Sequence, residues 1–174
     1  MARQRAPALP VSLAILAVLA LLPAAGCDGE DGSRCGPSRG VVERVVDGDT
    51  VVLADGTKVR YLDVDTPEST NTTECWGPEA AAYNESLVLG REVRLEYDEE
   101  CTDRYGRLLA HVFVDGRNVG LEEVLQGYGC AMILEPNVAG RQAFEEAQQI
   151  ANAYGRGVWQ WEPGGCDQPW PCPM

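Results

Sequence analysis

Residues 45–68 read VVDGDTVVLADGTKVRYLDVDTPE, and this stretch predicts a β-hairpin with acidic side chains at its edges. Two runs rich in β-branched residues, Thr50–Leu53 and Lys58–Val64, flank the dipeptide Asp55-Gly56. Asp-Gly favours a tight turn between antiparallel strands, because both residues tolerate a positive φ. Pro67 cannot donate to a strand ladder, so it ends the second run.

The rest of the chain adds a few strands and then helices. Val41–Val46 precedes the hairpin, and apolar residues alternate along Glu92–Tyr97 and Leu108–Val114. The remaining predictions are helices over Glu79–Leu89, over Val119–Gln126 and, capped by Asn137, up to Tyr154, with an extended run over Tyr128–Leu134. Early strands followed by helices indicate an α+β fold, a small curled barrel of about five strands with helices at one end.

Two acidic clusters lie at the strand edges or turns of the hairpin region. They are Asp47-Gly48-Asp49-Thr50 and Asp63-Val64-Asp65-Thr66-Pro67-Glu68. Carboxylates combined with backbone carbonyls are ligands that a hard cation such as Ca²⁺ prefers. Each cluster alone is equally typical of an ordinary turn, since Asp caps turns and Gly tolerates a positive φ. Neither cluster has the spacing of an EF-hand loop.

Two arginines add candidate phosphate-binding groups to these carboxylates. Arg60 stands five residues before Asp65, and Arg107 ends the stretch Thr-Asp-Arg-Tyr-Gly-Arg (102–107). A guanidinium fork matches the paired oxygens of a phosphate and stays charged at any working pH. Two arginines, a cation and a carboxylate base are the groups that attack of water on phosphorus requires. Taken singly, each arginine also fits a surface ion pair.

Six short blocks of the sequence carry more information together than any single motif. They are Val-Asp-Gly-Asp-Thr-Val (46–51), Arg-Tyr-Leu-Asp-Val-Asp-Thr-Pro-Glu (60–68), Trp-Gly-Pro-Glu-Ala (76–80), Thr-Asp-Arg-Tyr-Gly-Arg-Leu-Leu-Ala (102–110), Gln-Gly-Tyr (126–128) and Gly-Val-Trp (157–159). In this order and spacing, over about Gly40–Trp161, they resemble the staphylococcal nuclease (thermonuclease) family. The resemblance implies a five-stranded OB-type barrel with three α-helices.

The resemblance also implies an activity and a role for each candidate site residue. The implied reaction is Ca²⁺-dependent hydrolysis of DNA and RNA at the 5′ side of the phosphodiester, which leaves 3′-phosphates. The implied roles are Ca²⁺ binding for Asp49, Asp65 and the backbone carbonyl of Thr66, catalysis for Arg60, Glu68 and Arg107, and substrate contact for Arg104 and Tyr105.

Strand geometry adds a structural condition to this set of residues. Strict alternation along one strand puts the side chains of Arg60 and Asp65 on opposite faces. The two side chains reach one site only if the chain bends between them, as bulges do at barrel corners. We therefore predict a bulge or bend near Asp63–Asp65.

The segment Ala131–Pro136 departs from the family pattern. The family prototype has base-stacking tyrosines there, whereas Ile133 and Leu134 are aliphatic and Glu135 stands near a usual lysine. Stacking on an aromatic side chain is worth about 1–3 kcal/mol per base. We therefore expect weaker substrate binding with the catalytic groups intact.

The first 26 residues have the layout of a secretory signal peptide. Arg3 and Arg5 form a basic start, Val11–Leu22 is an apolar run, and small residues precede Cys27. The run is shorter than the roughly 20 residues that a membrane-spanning helix needs. Cleavage before Cys27 resembles the lipobox of bacterial lipoproteins, whose new N-terminal cysteine carries acyl chains. The match is imperfect and leaves simple secretion open.

These observations divide the chain into four parts. They are a signal peptide (1–26), a lipidated N-terminus and flexible tether (27–39), the nuclease-like domain (40–161) and a tail rich in Cys, Pro and Trp (162–174). The domain is large enough to form its own core. We expect an exported monomer, held at a membrane through its lipid anchor.

The cysteines predict disulfides rather than a zinc site. Setting Cys27 aside leaves six of the seven, an even number in an exported chain. There is no Cys-x-x-Cys pair and a single histidine, so zinc-ligand spacing is missing. Cys75 and Cys101 adjoin the two loops that carry candidate site residues, and a bridge between them would fasten the rim of the site. A Cys166–Cys172 bridge and a bridge from Cys130 to a tail cysteine stay open as alternatives.

Charge weighs against nonspecific binding of nucleic acid. The chain has 27 acidic and 14 basic residues, a formal charge of −13, and loss of Arg3 and Arg5 with the leader changes it to −15. Acidic surfaces repel polyanions at long range.

Two functions therefore compete, an exported Ca²⁺-dependent nuclease and a non-catalytic OB-type lipoprotein that binds nucleic acid or protein. A binding module does not need the complete set of acids and arginines, so the sequence favours the enzyme. Preference for DNA or RNA is left open.

Overall fold

The computed structural model describes residues 33–70, 73–160 and 172. The predicted signal peptide, residues 27–32 of the lipidated N-terminus and tether, and almost all of the tail lie outside these residues. No helix within the described ranges is long and apolar enough to cross a membrane.

The described residues form short strands, three α-helices and one 3₁₀ turn. The strands are β1 (Arg39–Asp47), β2 (Thr50–Leu53), β3 (Lys58–Tyr61), β4 (Val64–Asp65), β5 (Glu92–Glu96), β6 (Leu108–Val114), β7 (Arg117–Asn118) and β8 (Cys130–Ala131). The helices are α1 (Gly77–Val88), α2 (Val119–Gln126) and α3 (Arg141–Ala153), and the 3₁₀ turn is Gly157–Trp159.

Five of these strands close into a mixed barrel, which confirms the predicted OB-type α+β fold. Strands β3, β2, β1, β5 and β6 pair in that order, and a parallel pairing between β3 and β6 closes the sheet. β1 pairs with two strands. Its first residues, Arg39–Val41, pair with β5, and the rest of the strand pairs with β2 across register shifts. Such irregularities bend a strand, and the bend lets a single long strand turn a barrel corner.

Valines fill the barrel, and the helices cover one end of it. Val42, Val51, Val59, Val93 and Val112 are all fully buried. Burial of each such side chain stabilises the fold by about 1.5–3 kcal/mol relative to exposure. Along β3 and β5 the valines alternate with polar residues, which made these strands predictable from sequence, whereas β2 is buried at all four positions.

Local signals set several element bounds, while one predicted cap is wrong. β2, β6 and α2 have the predicted bounds. α2 begins where the Asn118 side chain accepts a hydrogen bond from the Leu121 N–H at 3.2 Å, and it ends at Gly127 with φ 82°.

Asn137 does not cap α3, because that helix begins only at Arg141. The Asn137 side chain instead accepts from the N–H of Glu100 and donates to its C=O. Of the predicted extended run over 128–134, only β8 is a strand.

The disulfides differ from the predicted rim bridge. Cys101 pairs with Cys35, and Cys130 pairs with Cys172, so neither a Cys75–Cys101 nor a Cys166–Cys172 bridge forms. Cys75 is also disulfide-bonded. The prediction paired cysteines by their distance from the site loops, whereas pairing follows the spatial proximity that the barrel creates.

Residues at the start of the described chain, which fall in the predicted tether, are fastened to the barrel. Arg34 donates hydrogen bonds to the carbonyls of Asp98 and Glu99, and Cys35 is bonded to Cys101. Tyr97 donates its hydroxyl hydrogen to the carbonyl of Pro37 at 2.7 Å. The segment from Ser33 onward is therefore attached to the strand β5 side of the barrel.

Glu123 on α2 is an ionisable group inside the core. It is completely buried, and neither carboxyl oxygen has a hydrogen-bond partner within the described residues. Burial, and then the negative charge of Asp49, raise the pKa of Glu123 well above its ordinary value, while Arg60 opposes the shift. The native state therefore holds Glu123 as the neutral acid, because a bare carboxylate cannot be solvated there.

Replacing Glu123 by leucine is expected to raise the free energy of unfolding by about 1–3 kcal/mol near neutral pH, since it removes an unpaired buried polar group. The native protein keeps a proton that the unfolded chain releases as the pH rises above its ordinary pKa of 4.5. Wild-type stability therefore falls as the pH rises from that value toward the raised native pKa. Urea unfolding at about pH 5 and about pH 8 should show a gap between variant and wild type that widens with pH. A Glu122→Leu variant on the same helix is the control. A gap that does not change with pH would contradict a neutral Glu123.

Candidate active site

The predicted bend lies at Asp63 and brings Arg60 together with Asp65. β3 ends at Tyr61, and Asp63 has a φ of 63° before β4 begins at Val64. This left-handed conformation breaks the strict alternation of side chains along the strand. As a result, Nη2 of Arg60 lies 2.8 Å from Oδ1 of Asp65, although the two residues would face opposite ways on a straight strand.

Arg60 bridges the two predicted metal carboxylates. Its Nη1 lies 2.7 Å from Oδ2 of Asp49 and donates to the carbonyl of Val64 at 2.8 Å. The side chains of Arg60 and Asp49 are only 14% and 7% exposed, whereas that of Asp65 is 37% exposed. The charges are therefore shielded from water on the Asp49 side and open to it on the Asp65 side.

Asp49 is fixed by neighbours on both acidic clusters. The backbone N–H and the hydroxyl of Thr66 both donate to Oδ2 of Asp49, at 3.0 and 3.1 Å. The hydroxyl of Thr50 donates to Oδ1 at 2.9 Å. Gly48 faces Thr66 so closely that a Cβ there would lie 2.7 Å from the Thr66 hydroxyl oxygen. The two clusters are therefore parts of one site.

Arg107 reaches the same site from a tight turn before β6. The carboxylate of Asp103 accepts from the N–H groups of Tyr105 and Arg107 and pairs with Nε of Arg107 at 2.6 Å. These bonds lower the pKa of Asp103 even though burial opposes them. Nη1 of Arg107 then donates to the hydroxyl of Thr50 at 3.4 Å, next to Asp49. Asp103 thus aims the guanidinium at the site.

Two further acids at the site have raised pKa values. Burial, followed by the charges of Asp49 and Glu74, raises the pKa of Glu68, and Arg60 and Arg107 oppose that shift. Burial and the adjacent Asp49 raise the pKa of Asp47 to about 7. Glu68 thus lies within the electrostatic reach of both arginines and is the exposed acid of the group.

A cleft of about 430 Å³ opens beside Arg60 and Arg107. Tyr105 lines the cleft and is 70% exposed, with the guanidinium of Arg104 over its ring at 4.8 Å. Met132 and Leu134 line the same cleft, and they come from the stretch in which the sequence has aliphatic residues where the family prototype has tyrosines. The cleft therefore offers both an aromatic and an aliphatic contact surface.

The donor set at the site fits a hard cation. Asp49 and Asp65 present carboxylate oxygens, and Asp65 is the more open of the two, because Asp49 already accepts from Arg60, Thr50 and Thr66. Within the described ranges no three Asp, Glu, His or Cys side chains converge as a metal site. A cation here would thus take backbone carbonyls, such as that of Thr66, and water as further ligands, which Ca²⁺ accepts readily.

Sequence reasoning missed two acids that the fold adds to the site. Asp47 was part of an acidic cluster in the sequence but was given no role at the site, yet it is buried beside Asp49, whose N–H donates to it at 3.3 Å. Glu74 was not singled out at all, yet it contacts the backbone of Glu68. The Asp-x-Asp spacing was the only local signal for the first, and no local signal marked the second.

Comparisons with known proteins show the family that this chain resembles. A family model described as staphylococcal nuclease homologue matches residues 58–161. Endonuclease YncB of Bacillus subtilis (strain 168) is 37% identical over 126 residues, covering 68% of this chain and 60% of that protein. Thermonuclease of Staphylococcus intermedius is 35% identical over 126 residues, covering 69% of this chain and 75% of that protein. Endonuclease YhcR of B. subtilis is 34% identical over 140 residues, which are 12% of its length.

Proposed function

Because the chain belongs to the staphylococcal nuclease family, we propose that it is a nuclease that hydrolyses phosphodiester bonds of DNA, RNA or both. One observation carries the proposal: Arg60 and Arg107 meet two carboxylates at one cleft, although they come from separate strands and turns. The chain spans 60% of the length of YncB, so the activity proposed is that of the shared domain.

In the proposed reaction the two arginines bind the nonbridging oxygens of the phosphate. Their charge stabilises the transition state, where negative charge on those oxygens increases. Glu68 accepts the proton of the attacking water at its free carboxylate. Its raised pKa makes it a better base, because a base works best when its pKa approaches the working pH. The leaving 5′-oxygen takes a proton from solvent, Glu68 returns its proton to solvent, and the other product keeps a 3′-phosphate.

We propose Ca²⁺ as the cofactor, held by Asp49, Asp65 and the carbonyl of Thr66. The all-oxygen donor set and the partly exposed Asp65 support a hydrated, hard cation. When bound, the cation supplies Lewis-acid stabilisation of charge on the phosphate. Arg104 and Tyr105, which both line the cleft, would contact the rest of the nucleotide.

We also propose that the protein acts outside the cytoplasm as a monomer. The two described disulfides support this location, because such bonds persist in oxidising compartments. The lipobox-like sequence before Cys27 supports attachment to a membrane surface, with simple secretion as the alternative.

The test is cleavage of end-labelled single-stranded DNA and RNA by the purified, disulfide-oxidised protein, with Ca²⁺ and then with excess EGTA. We expect cleavage with Ca²⁺, loss of at least about 100-fold in rate with EGTA, and 3′-phosphate ends by mass spectrometry. Glu68→Gln should lose activity, while Glu85→Gln, an exposed substitution on α1, should not. Retained binding of the oligonucleotides without any cleavage would instead show a non-catalytic binding module.

A further inference from the structure

The segment that carries Glu68 has no regular secondary structure to hold it. Within the described residues, neither helix nor strand lies between Asp65 and Gly77. An irregular backbone leaves a side chain free to sample several positions unless specific hydrogen bonds fix it. A general base must stay within hydrogen-bond reach of its water, so something has to hold this backbone.

Glu74 holds both backbone polar groups of Glu68. The N–H of Glu68 donates to Oε2 of Glu74 at 2.8 Å, and the N–H of Glu74 donates back to the carbonyl of Glu68 at 2.8 Å. The two bonds form a reciprocal bracket across the loop. A charged acceptor makes the first of them stronger than a neutral pair.

The bracket is attached to the rest of the site on both sides. On the helix side, the N–H of Gly77 donates to the carbonyl of Glu74 at 3.1 Å. A Cβ at Gly77 would lie 2.1 Å from the Glu68 carbonyl oxygen, so only glycine permits this approach. On the barrel side, the hydroxyl of Ser69 donates to the carbonyl of Val46 at 3.2 Å, next to Asp47.

We infer that Glu74 is a positioning residue for the reaction, whose carboxylate brackets the backbone of Glu68 and thereby keeps Glu68 beside Asp49 and the two arginines. The inference rests on the proposed nuclease function and on Glu68 as the base within it. Glu74 does not contact the substrate in this proposal. The Glu74 carboxylate could be replaced by any acceptor of the same reach without loss of the bracket.

The test compares two substitutions that differ in one property. Glu74→Gln keeps an amide oxygen that can accept from the Glu68 N–H, whereas Glu74→Ala removes the acceptor. We expect Glu74→Ala to lower kcat by about 10–100-fold with KM within about 2-fold, since small misplacement of a catalytic group costs up to that much. Glu74→Gln should keep kcat within about 3-fold of the wild type, and Glu79→Ala, in the first turn of α1, is the matched control.

The same substitution made in a Glu68→Ala protein distinguishes a positioning role of Glu74 from a general effect on the fold. In a Glu68→Ala protein, adding Glu74→Ala should cause no further loss of the residual rate, because residues that act through one group are not additive. Gly77→Ala disturbs the same carbonyl from the other side and should lower kcat while Glu74 is intact. Thermal unfolding of each variant shows that the proteins assayed are folded.

The outcomes separate this inference from the proposed function. No cleavage by the wild type, or full activity of Glu68→Ala, would overturn the proposed function. An active wild type and an inactive Glu68→Ala, together with a Glu74→Ala variant as active as the Glu79→Ala control, would overturn the inference alone. Equal losses for Glu74→Ala and Glu74→Gln would also overturn it, because the hydrogen-bond acceptor would then not be the property that matters.

Discussion

Replacing Arg60 by alanine is expected to lower kcat by about 10²–10³-fold, the cost of removing one donor that stabilises charge in a transition state. The same change should destabilise the fold by about 3 kcal/mol, because removing one partner of a buried ion pair leaves the other uncompensated. Asp49 is the partner concerned, since its side chain is 7% exposed and its Oδ2 lies 2.7 Å from Arg60. The measurements are steady-state cleavage of single-stranded DNA and urea unfolding of the same samples.

Arg107 gives the matched comparison for that prediction. Arg107→Ala should lose at least about 100-fold in kcat, because the side chain is proposed to bind the same phosphate. Its stability should change less, since Arg107 is 28% exposed against 14% for Arg60, and its partner Asp103 keeps the backbone N–H donors of residues 105 and 107. Arg117→Ala, an exposed arginine on β7, should change neither quantity. Equal stability losses for Arg60→Ala and Arg107→Ala would contradict the buried bridge between Asp49 and Asp65.

Removing the Cys35–Cys101 disulfide with a double serine variant is expected to cost about 4 kcal/mol of unfolding free energy in the chain-entropy description. The bond joins residues 66 apart in sequence, so it removes a large share of the freedom of the unfolded chain. It also anchors the turn of Arg107, because the Leu109 N–H donates to the Cys101 carbonyl at 2.9 Å. Urea unfolding measures the first effect, and KM and kcat measure the second.

The variant has to be the double one, because a single serine leaves a free thiol that can exchange with other disulfides. We expect a lower urea midpoint and a larger m-value, because the unfolded chain without the cross-link is less compact and exposes more surface. A midpoint equal to that of the wild type would show that the strands alone determine the position of the segment near Cys35.

The barrel strands could be predicted because their signals are local. The turn residues Asp55-Gly56 and the alternation along Leu108–Val114 act within a few residues, and the observed strands follow them. The cap at Asn137 could not be predicted correctly. Its side chain has a better partner in the backbone of Glu100, which lies 37 residues away in sequence and adjacent in space.

The sequence alone determined which chemical groups the site contains: the pairs of acids, the two arginines and the register that links them to a known family. These are identities and spacings, and spacing along the chain is enough to recognise them. Only the tertiary structure decided how the groups meet. The positive φ of Asp63 turns Asp65 toward Arg60, and the bracket from Glu74 holds Glu68. The closed barrel joins Cys35 to Cys101 rather than Cys75 to Cys101. The disulfide joins residues 66 apart in sequence, which no local pattern encodes. The other two contacts join residues five and six apart, and they depend on a backbone course that departs from regular strand alternation.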